Sequence, residues 1–381
     1  MTSNLKIGFD ARILVGKGRG MQRATWGLIK GLARQGAENR YYLFSDRPLE
    51  LPEALPDNFF QIVIPRRKWL PSWANSALVR GANEYEIDVM HFTYNTVWLL
   101  KPCLTVVTLH DVISYTHGNE QFKSFKQRVA GIIYMLAMKS RVDQIITDSY
   151  AAREEIANHL AIESGKIEVI YNGVDAFFYQ RTSSNDLAHI KKEFNIRNEY
   201  LFYVGGFEPR KNLERVIDAF VSVLKAGKDD IQLVIAGNYD NSRGWKVKTH
   251  VDRLQLGNRI VFTGWVTELQ LRSLYQGASV FLFPSRYEGF GLPILEAMAS
   301  GVPVITSDRS SLREIAGDAA YLVNPEDEES IANAIMIVAT DNVLKEDLIA
   351  KGLRRLSNFD WDKTAAAVVS IYEKVLRKSN A

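Results

Sequence analysis

The segment from Glu288 to Val304 reads EGFGLPILEAMASGVPV. Two carboxylates, Glu288 and Glu296, stand eight positions apart, with Gly289, Phe290, Gly291 and Leu292 between the first acid and Pro293. Proline suits the first turn of a helix, so the spacing predicts a turn that runs into a helix start. One acid lies ahead of the helix and the other about a turn inside it. Such a start presents unpaired backbone N–H groups and partial positive charge, and both favour an anion. The acids cannot serve that anion. They must accept hydrogen bonds from something neutral and rich in hydroxyls beside it. A phosphate flanked by two polyols has the outline of a sugar nucleotide.

A second motif, Gly205-Gly206-Phe207-Glu208-Pro209-Arg210-Lys211-Asn212, follows a strand-like run. The glycines allow a tight turn, and Asn212 is placed to cap the next helix. Arg210 can clamp phosphate with two parallel bonds, and Lys211 acts as a point charge. Two cations at a helix start can neutralise a diphosphate without a metal. In the first half, Gly16-Lys17-Gly18-Arg19-Gly20 lies between a strand and a helix, and its glycines permit close backbone approach to a ligand. Its spacing is not the dinucleotide fingerprint. His110-Asp111 directly follows a strand ending at Leu109. His110 there can bond a sugar hydroxyl or move a proton; alternatively it only orders the loop, with Asp111 as partner.

Other groups have ordinary structural readings. Asp360-Trp361-Asp362 and the acids from Glu326 to Glu329 sit where helix caps and first-turn charge account for them. His91 reads as structural, and the histidines have no metal-ligand spacing. Two basic, aromatic stretches remain, Pro65 to Trp73 and Phe122 to Arg141. The second has cations around an apolar body, a pattern that fits either a solvated helix face or a peripheral contact with an anionic membrane.

The elements that must position these residues alternate along the whole chain. Strand-like runs occur at Lys6–Phe9, Tyr41–Phe44, Gln61–Ile64, Val89–Phe92, Leu104–Leu109, Gln144–Thr147 and Lys166–Ile170. They recur at Tyr200–Val204, Gln232–Ala236, Arg259–Thr263, Val280–Phe283, Pro303–Thr306 and Ala320–Val323. Amphipathic stretches separate them; Leu213, Val216, Ile217, Phe220 and Leu224 form one helical stripe. Thr267 to Gln270 and Ser311 to Glu314 both read as capping boxes. Asp175 to Asn198 is polar and reads as a linker. Two α/β domains with parallel sheets follow, and ligands in such sheets bind at the carboxyl ends of the strands.

The 381 residues suit two domains, and 46% hydrophobic with 24% charged residues describes an ordinary globular protein. A net charge of +3 gives no argument for nucleic acid. Cys103 is the single cysteine, which excludes an internal disulfide and fits a reducing compartment. The N-terminus lacks the features of a secretory signal. The apolar run from Val129 to Met138 is about half of a bilayer span. The expected location is the cytoplasm, with peripheral contact at the inner face of the plasma membrane.

The pairing of the Glu-x7-Glu segment and AMASGVPVI with the upstream element Gly206 to Asn212 resembles the retaining glycosyltransferases of family four. FEPRKN and PSRYEGFGLPILEAMASG look most like bacterial mannosyltransferases that build O-antigen or exopolysaccharide. The resemblance covers nearly the whole chain. It implies the GT-B fold, two doubly wound Rossmann-like domains facing each other across a cleft. Residues 1–172, joined by the C-terminal helix 362–381, would form the acceptor-side domain, and 173–361 the nucleotide-sugar domain. It also implies roles. Glu288 would contact the donor sugar and Glu296 the ribose; Arg210 and Lys211 would bind the diphosphate beside Gly206. Backbone N–H groups from Gly289 to Leu292 would hold phosphate or sugar. His110 would contact the sugar near C6, Gly16 and Gly18 would close over the phosphates, and the base would lie near Gly264 and Trp265. Arg313 departs from the family, standing where proline is frequent, and basic residues interrupt the glycine loop.

The expected reaction is metal-independent hexosyl transfer without a cofactor, from a nucleotide sugar to a glycan or polyprenyl-diphosphate-linked glycan. GDP-mannose is the expected donor. UDP-glucose, UDP-galactose or UDP-GlcNAc is the near alternative. An inactive sugar-nucleotide-binding subunit is a more distant one. An NAD enzyme is disfavoured by the glycine spacing.

Overall fold

The computed structural model describes residues 4–16, 20–36, 38–66, 72–112, 125–197, 199–228 and 230–380. Gly18 with its neighbours, positions 67–71 of the first basic stretch, and 113–124 lie outside the described residues. The chain divides into two compact units, residues 1–173 with 359–381, and residues 174–358.

The first unit holds β1 (Lys6–Asp10), β2 (Arg40–Ser45), β3 (Phe59–Val63), β4 (Val89–Phe92), β5 (Leu104–Thr108), β6 (Gln144–Thr147) and β7 (Ile167–Val169). They form one parallel sheet in the order β3-β2-β1-β4-β5-β6-β7. The second unit holds β8 (Glu199–Val204), β9 (Ile231–Ala236), β10 (Ile260–Gly264), β11 (Val280–Phe283), β12 (Val304–Ser307) and β13 (Tyr321–Val323). Its parallel sheet has the order β10-β9-β8-β11-β12-β13. Each strand lies within a residue or two of a run picked out by the alternation.

Helices cover both faces of such sheets, so inner strands are mostly apolar and buried. All residues of β9, IQLVIA, are buried, whereas the edge strand β3 is mostly exposed. The stripe Leu213, Val216, Ile217 and Phe220 packs the helix Leu213–Lys225 into the core of the second unit. In each sheet the strand order reverses beside the first strand, β1 or β8. In open α/β sheets such a reversal is where ligands bind, at the carboxyl ends of the neighbouring strands.

The last helix, Trp361–Ser379, returns to the first unit and packs on the helix Met21–Arg34. Close approach is possible because Gly27, Gly31 and Gly173 face Trp361: a Cβ on Gly31 would lie 2.4 Å from the Trp361 carbonyl oxygen. Arg34 pairs with Asp362 at 2.6 Å. Asp360 caps this helix through the Asp362 N–H at 2.7 Å, the structural reading expected for that acidic pair.

The segment read as a linker is instead part of the second unit. Ser183 caps a helix over Ser184–Glu193, Phe178 and Ile190 are buried, and Arg272 bonds the Phe177 carbonyl and Gln180. Its polar composition belongs to an exposed helix face.

Candidate active site

The second unit brings together two motifs whose charged residues, Lys211 and Glu288, stand 77 positions apart. β8 and β11 are hydrogen-bonded neighbours. The turn leaving β8 carries Arg210 and Lys211, and the loop leaving β11 carries Glu288. The Arg286 N–H bonds the Arg210 carbonyl at 2.8 Å and ties the two loops together. The Arg210 guanidinium reaches one Glu288 oxygen at 2.9 Å, and the Lys211 ammonium reaches the other at 2.6 Å. Lys211 also stands 5.0 Å from the centre of the Phe283 ring. Burial opposes ionisation of Glu288, but Lys211 and Arg210 outweigh it and hold the carboxyl below its usual range. Two cations against one anion leave this cluster with one net positive charge.

Gly206 lies under a neighbouring side chain. The Glu208 carboxylate folds over it, and a Cβ would sit 2.1 Å from that carboxylate. The buried Tyr203 hydroxyl donates to the Gly206 carbonyl at 3.2 Å. Burial, with Glu288 and Glu208 nearby, pushes the phenol well up and keeps it protonated. Asn212 adopts a left-handed conformation, φ +61°, and does not cap with its side chain as expected. It donates instead to the carbonyls of Pro284 and Pro325, at 3.1 and 2.7 Å, and so binds the β8 turn to the β11 loop.

The helix after Glu288 runs Leu292–Ala299 from Gly291, whose φ is +125°, with Pro293 in its first turn. Glu296 lies one turn inside and is buried, and the Tyr275 hydroxyl donates to it at 3.0 Å. Tyr275 is itself fully buried among Phe178, Phe202 and Phe281. Nothing local in the sequence points to this partner. Phe290 is buried, Gly264 ends β10 with φ +71°, and Trp265 beside it is exposed.

Of the two capping boxes, Thr267 with Gln270 forms as expected. Ser311 with Glu314 does not. That helix, Ser310–Ala316, begins two residues early, and the Ser311 hydroxyl is drawn to the carbonyls of Glu288 and Phe290 at 2.7 and 2.8 Å.

In the first unit, His110 follows β5. Its Nδ1 bonds Asp148 at 2.7 Å and its Nε2 faces the Thr93 carbonyl at 3.2 Å. The partner is therefore Asp148, with Asp111 acting only through charge. Burial disfavours the imidazolium, but Asp148 more than compensates and raises the pKa. Asn172 donates to the same Asp148 oxygen at 2.9 Å. His110 lines a cavity of about 20 Å³ with Thr25, Thr93, Thr108, Asn172 and Thr364, room for about one water. His91 is structural: fully buried between Tyr372 and Thr108, at 2.7 and 2.8 Å, it is pushed down to about 3 by burial, with a contribution from His110.

The carboxyl end of β1 adds a group the sequence reading missed. Buried Asp10 is bonded by Arg12 at 2.8 Å and by the Tyr94 hydroxyl at 2.9 Å, and the guanidinium lies 4.5 Å from the centre of the Trp73 ring. An acid ending a buried strand was the available signal. Gly16, φ +84°, follows this group, and its carbonyl accepts from Gln22 at 2.8 Å.

Residues 184–355 match the family model described as glycosyl transferases group 1, and residues 18–176 match glycosyltransferase family 4. The chain is similar to O-antigen chain mannosyltransferase RfbU of Salmonella typhimurium, 30% identical over 271 residues, covering 71% of this chain and 69% of that protein. The chain belongs to the family 4 glycosyltransferases. The glycosyltransferase is also similar to O-antigen chain mannosyltransferase B of Escherichia coli, 28% identical over 271 residues and 70% of each chain. It spans about a third of the length of the serotype-specific mannosyltransferase WbdA of Escherichia coli, 28% identical over 287 residues, 73% of this chain and 34% of that one. Sucrose-phosphate synthase from Thermosynechococcus elongatus shares the fold, with a TM-score of 0.78 at 22% identity over 98% of this chain and 100% of that one. Both units are Rossmann-like, and the fold is GT-B.

Proposed function

We propose that this glycosyltransferase moves mannose from GDP-mannose, with retention, onto a glycan or lipid-linked glycan of a bacterial surface polysaccharide. The observation that carries the sugar and the pathway class is the similarity to relatives named O-antigen mannosyltransferases over about 70% of the chain. The site supports the chemistry. When the anomeric C–O bond breaks, negative charge grows on the departing diphosphate. Arg210, Lys211 and the helix start at Leu292 would receive it, preorganised positive groups of the kind that lower such barriers. Glu288 would bond the donor sugar and Glu296 the ribose, with the base near Gly264 and Trp265. His110 would contact the sugar through Nε2, exchanging the Thr93 carbonyl for a hydroxyl. The expected test is thermal-shift titration followed by transfer assays: GDP raises stability more than UDP, and GDP-mannose is consumed. A shift with UDP alone, with turnover of a UDP-hexose, would replace the donor.

We further propose peripheral contact with an anionic membrane. On the helix Phe125–Arg141, Val129, Ile132, Ile133 and Leu136 are exposed at helical spacing, with exposed Lys139 and Arg141 at its end. Apolar stripe and adjoining cations together fit an interfacial helix. No helix among the described residues is long and apolar enough to cross a membrane.

A further inference from the structure

The start of the helix Ser310–Ala316 grips the loop after β11 at several points. Ser310 Oγ accepts the Glu288 N–H at 3.3 Å. Ser311 Oγ lies 2.7 Å from the Glu288 carbonyl and 2.8 Å from the Phe290 carbonyl. The side chain of Leu312 fills the space beside Gly291, 3.0 Å from where a Cβ would stand. Ser311 is fully buried, and its hydroxyl has one proton for two carbonyl acceptors. Ser310 holds φ +49°, a left-handed conformation that strains a residue with a side chain. These contacts hold that strained start in place.

Geometry then fixes the other side of the loop. Both peptides are trans, since the described chain has no cis bond, and in a trans peptide the N–H points opposite to the C=O. The Glu288 carbonyl shares a peptide plane with the Gly289 N–H, and the Phe290 carbonyl with the Gly291 N–H. With both carbonyls turned to one hydroxyl, each glycine N–H is turned away from Ser311. The same bonds fix the backbone of Glu288, whose carboxylate meets Arg210 and Lys211.

We infer that Ser311 is a positioning residue of the transfer reaction: it aligns the Gly289 and Gly291 N–H groups as a pair for the donor's diphosphate and sets the backbone from which Glu288 reaches its cations. This rests on the nucleotide-sugar reading above. It assigns work to a residue outside the Glu-x7-Glu segment and the Gly206–Asn212 element.

The test compares nucleoside diphosphate and monophosphate binding by calorimetry in the full chain, with kcat and KM for the donor. Ser311→Ala is expected to lower the diphosphate-over-monophosphate preference by about tenfold, the lower end of the loss of one hydrogen bond to a charged group. Ser311→Thr, which keeps the hydroxyl, is expected to retain it. Should the alanine variant fail to fold, Ser311→Cys, a weak donor, is expected to show an intermediate preference. Ser311→Ala, or Ser311→Cys in its place, with the wild-type preference, or with equal losses for both ligands, overturns the proposal while leaving the function standing. A wild-type chain that binds no nucleoside diphosphate overturns both.

Discussion

The Lys211 ammonium stands 2.6 Å from the Glu288 carboxylate, on a loop that reaches it from the neighbouring strand. The acid is the counter-ion of a cation that the proposed reaction needs for the leaving diphosphate. Lys211→Ala removes that cation while Arg210 still pairs with Glu288. The expected outcome is a folded protein whose kcat falls about 100- to 1,000-fold, the loss seen when a preorganised charge-stabilising group is deleted. Steady-state transfer kinetics beside a thermal melt check it. Near-normal turnover would remove Lys211 from the mechanism.

Tyr275 and Glu296 offer a milder perturbation. Tyr275→Phe keeps the aromatic packing and deletes the bond to the carboxylate. A lost hydrogen bond to a charged group corresponds to about 1.5–3 kcal/mol. If Glu296 binds the ribose, the donor KM should rise about tenfold or more with kcat little changed, because that contact is the same in the ground and transition states. A drop confined to kcat would place Glu296 at the reacting centre instead.

Two buried histidines give the first unit a stability profile with opposing limbs. His91 is held down at about 3, so below its usual 6.5 the unfolded chain takes up a proton that the folded chain refuses. Stability then falls by about 1.4 kcal/mol per pH unit between those values. His110 is raised, so its contribution is complete below 6.5 and disappears as pH climbs through the raised value. Relative to pH 8, His91→Gln should recover about 2 kcal/mol at pH 5. Denaturant unfolding at both pH values measures this, and identical acid limbs in the two proteins would refute it.

Gly31→Ala should destabilise the first unit by about 2–3 kcal/mol, because the new methyl meets the Trp361 backbone, which cannot swing aside as a side chain would. Gly165 has open space around it, so Gly165→Ala is the matched control, expected within about 0.5 kcal/mol of wild type. Equal melting of the two variants would show that the helix contact yields freely.

Ile132→Asp combined with Leu136→Asp should abolish sedimentation with anionic vesicles and leave transfer to a soluble acceptor intact. Wild-type binding should weaken as salt rises. Salt-independent binding to neutral vesicles would point to a purely apolar contact.

Much of this architecture is legible in the residue pattern, because strands buried on both faces must be apolar runs and helices between them must carry a stripe. The Glu-x7-Glu segment and the Gly206–Asn212 element are legible for the same reason: their glycines, prolines and charges act on their own backbone. What escapes is long-range polar pairing. Asn212 carries a helix-capping residue type, yet its side chain is taken by Pro284 and Pro325. Ser311 fits a capping box but spends its hydroxyl on the loop after β11. Asp148 finds His110 across 38 positions, and Tyr275 finds Glu296 across 21. Short polar side chains satisfy whichever buried partner the tertiary fold brings, and local sequence carries no record of that choice.

The return of the last helix to the first unit sets an order of assembly. Residues 174–358 form one uninterrupted stretch, whereas the first unit needs both 1–173 and 359–381. A ribosome releases the chain from its N-terminus. The later, continuous unit can therefore close while the earlier one still waits for Trp361. Until Trp361 arrives, the small-residue groove of Gly27 and Gly31 is open and its apolar walls are unpaired. The unit made first is completed last, so the newly made protein carries its greatest exposure to aggregation and proteolysis on its N-terminal half.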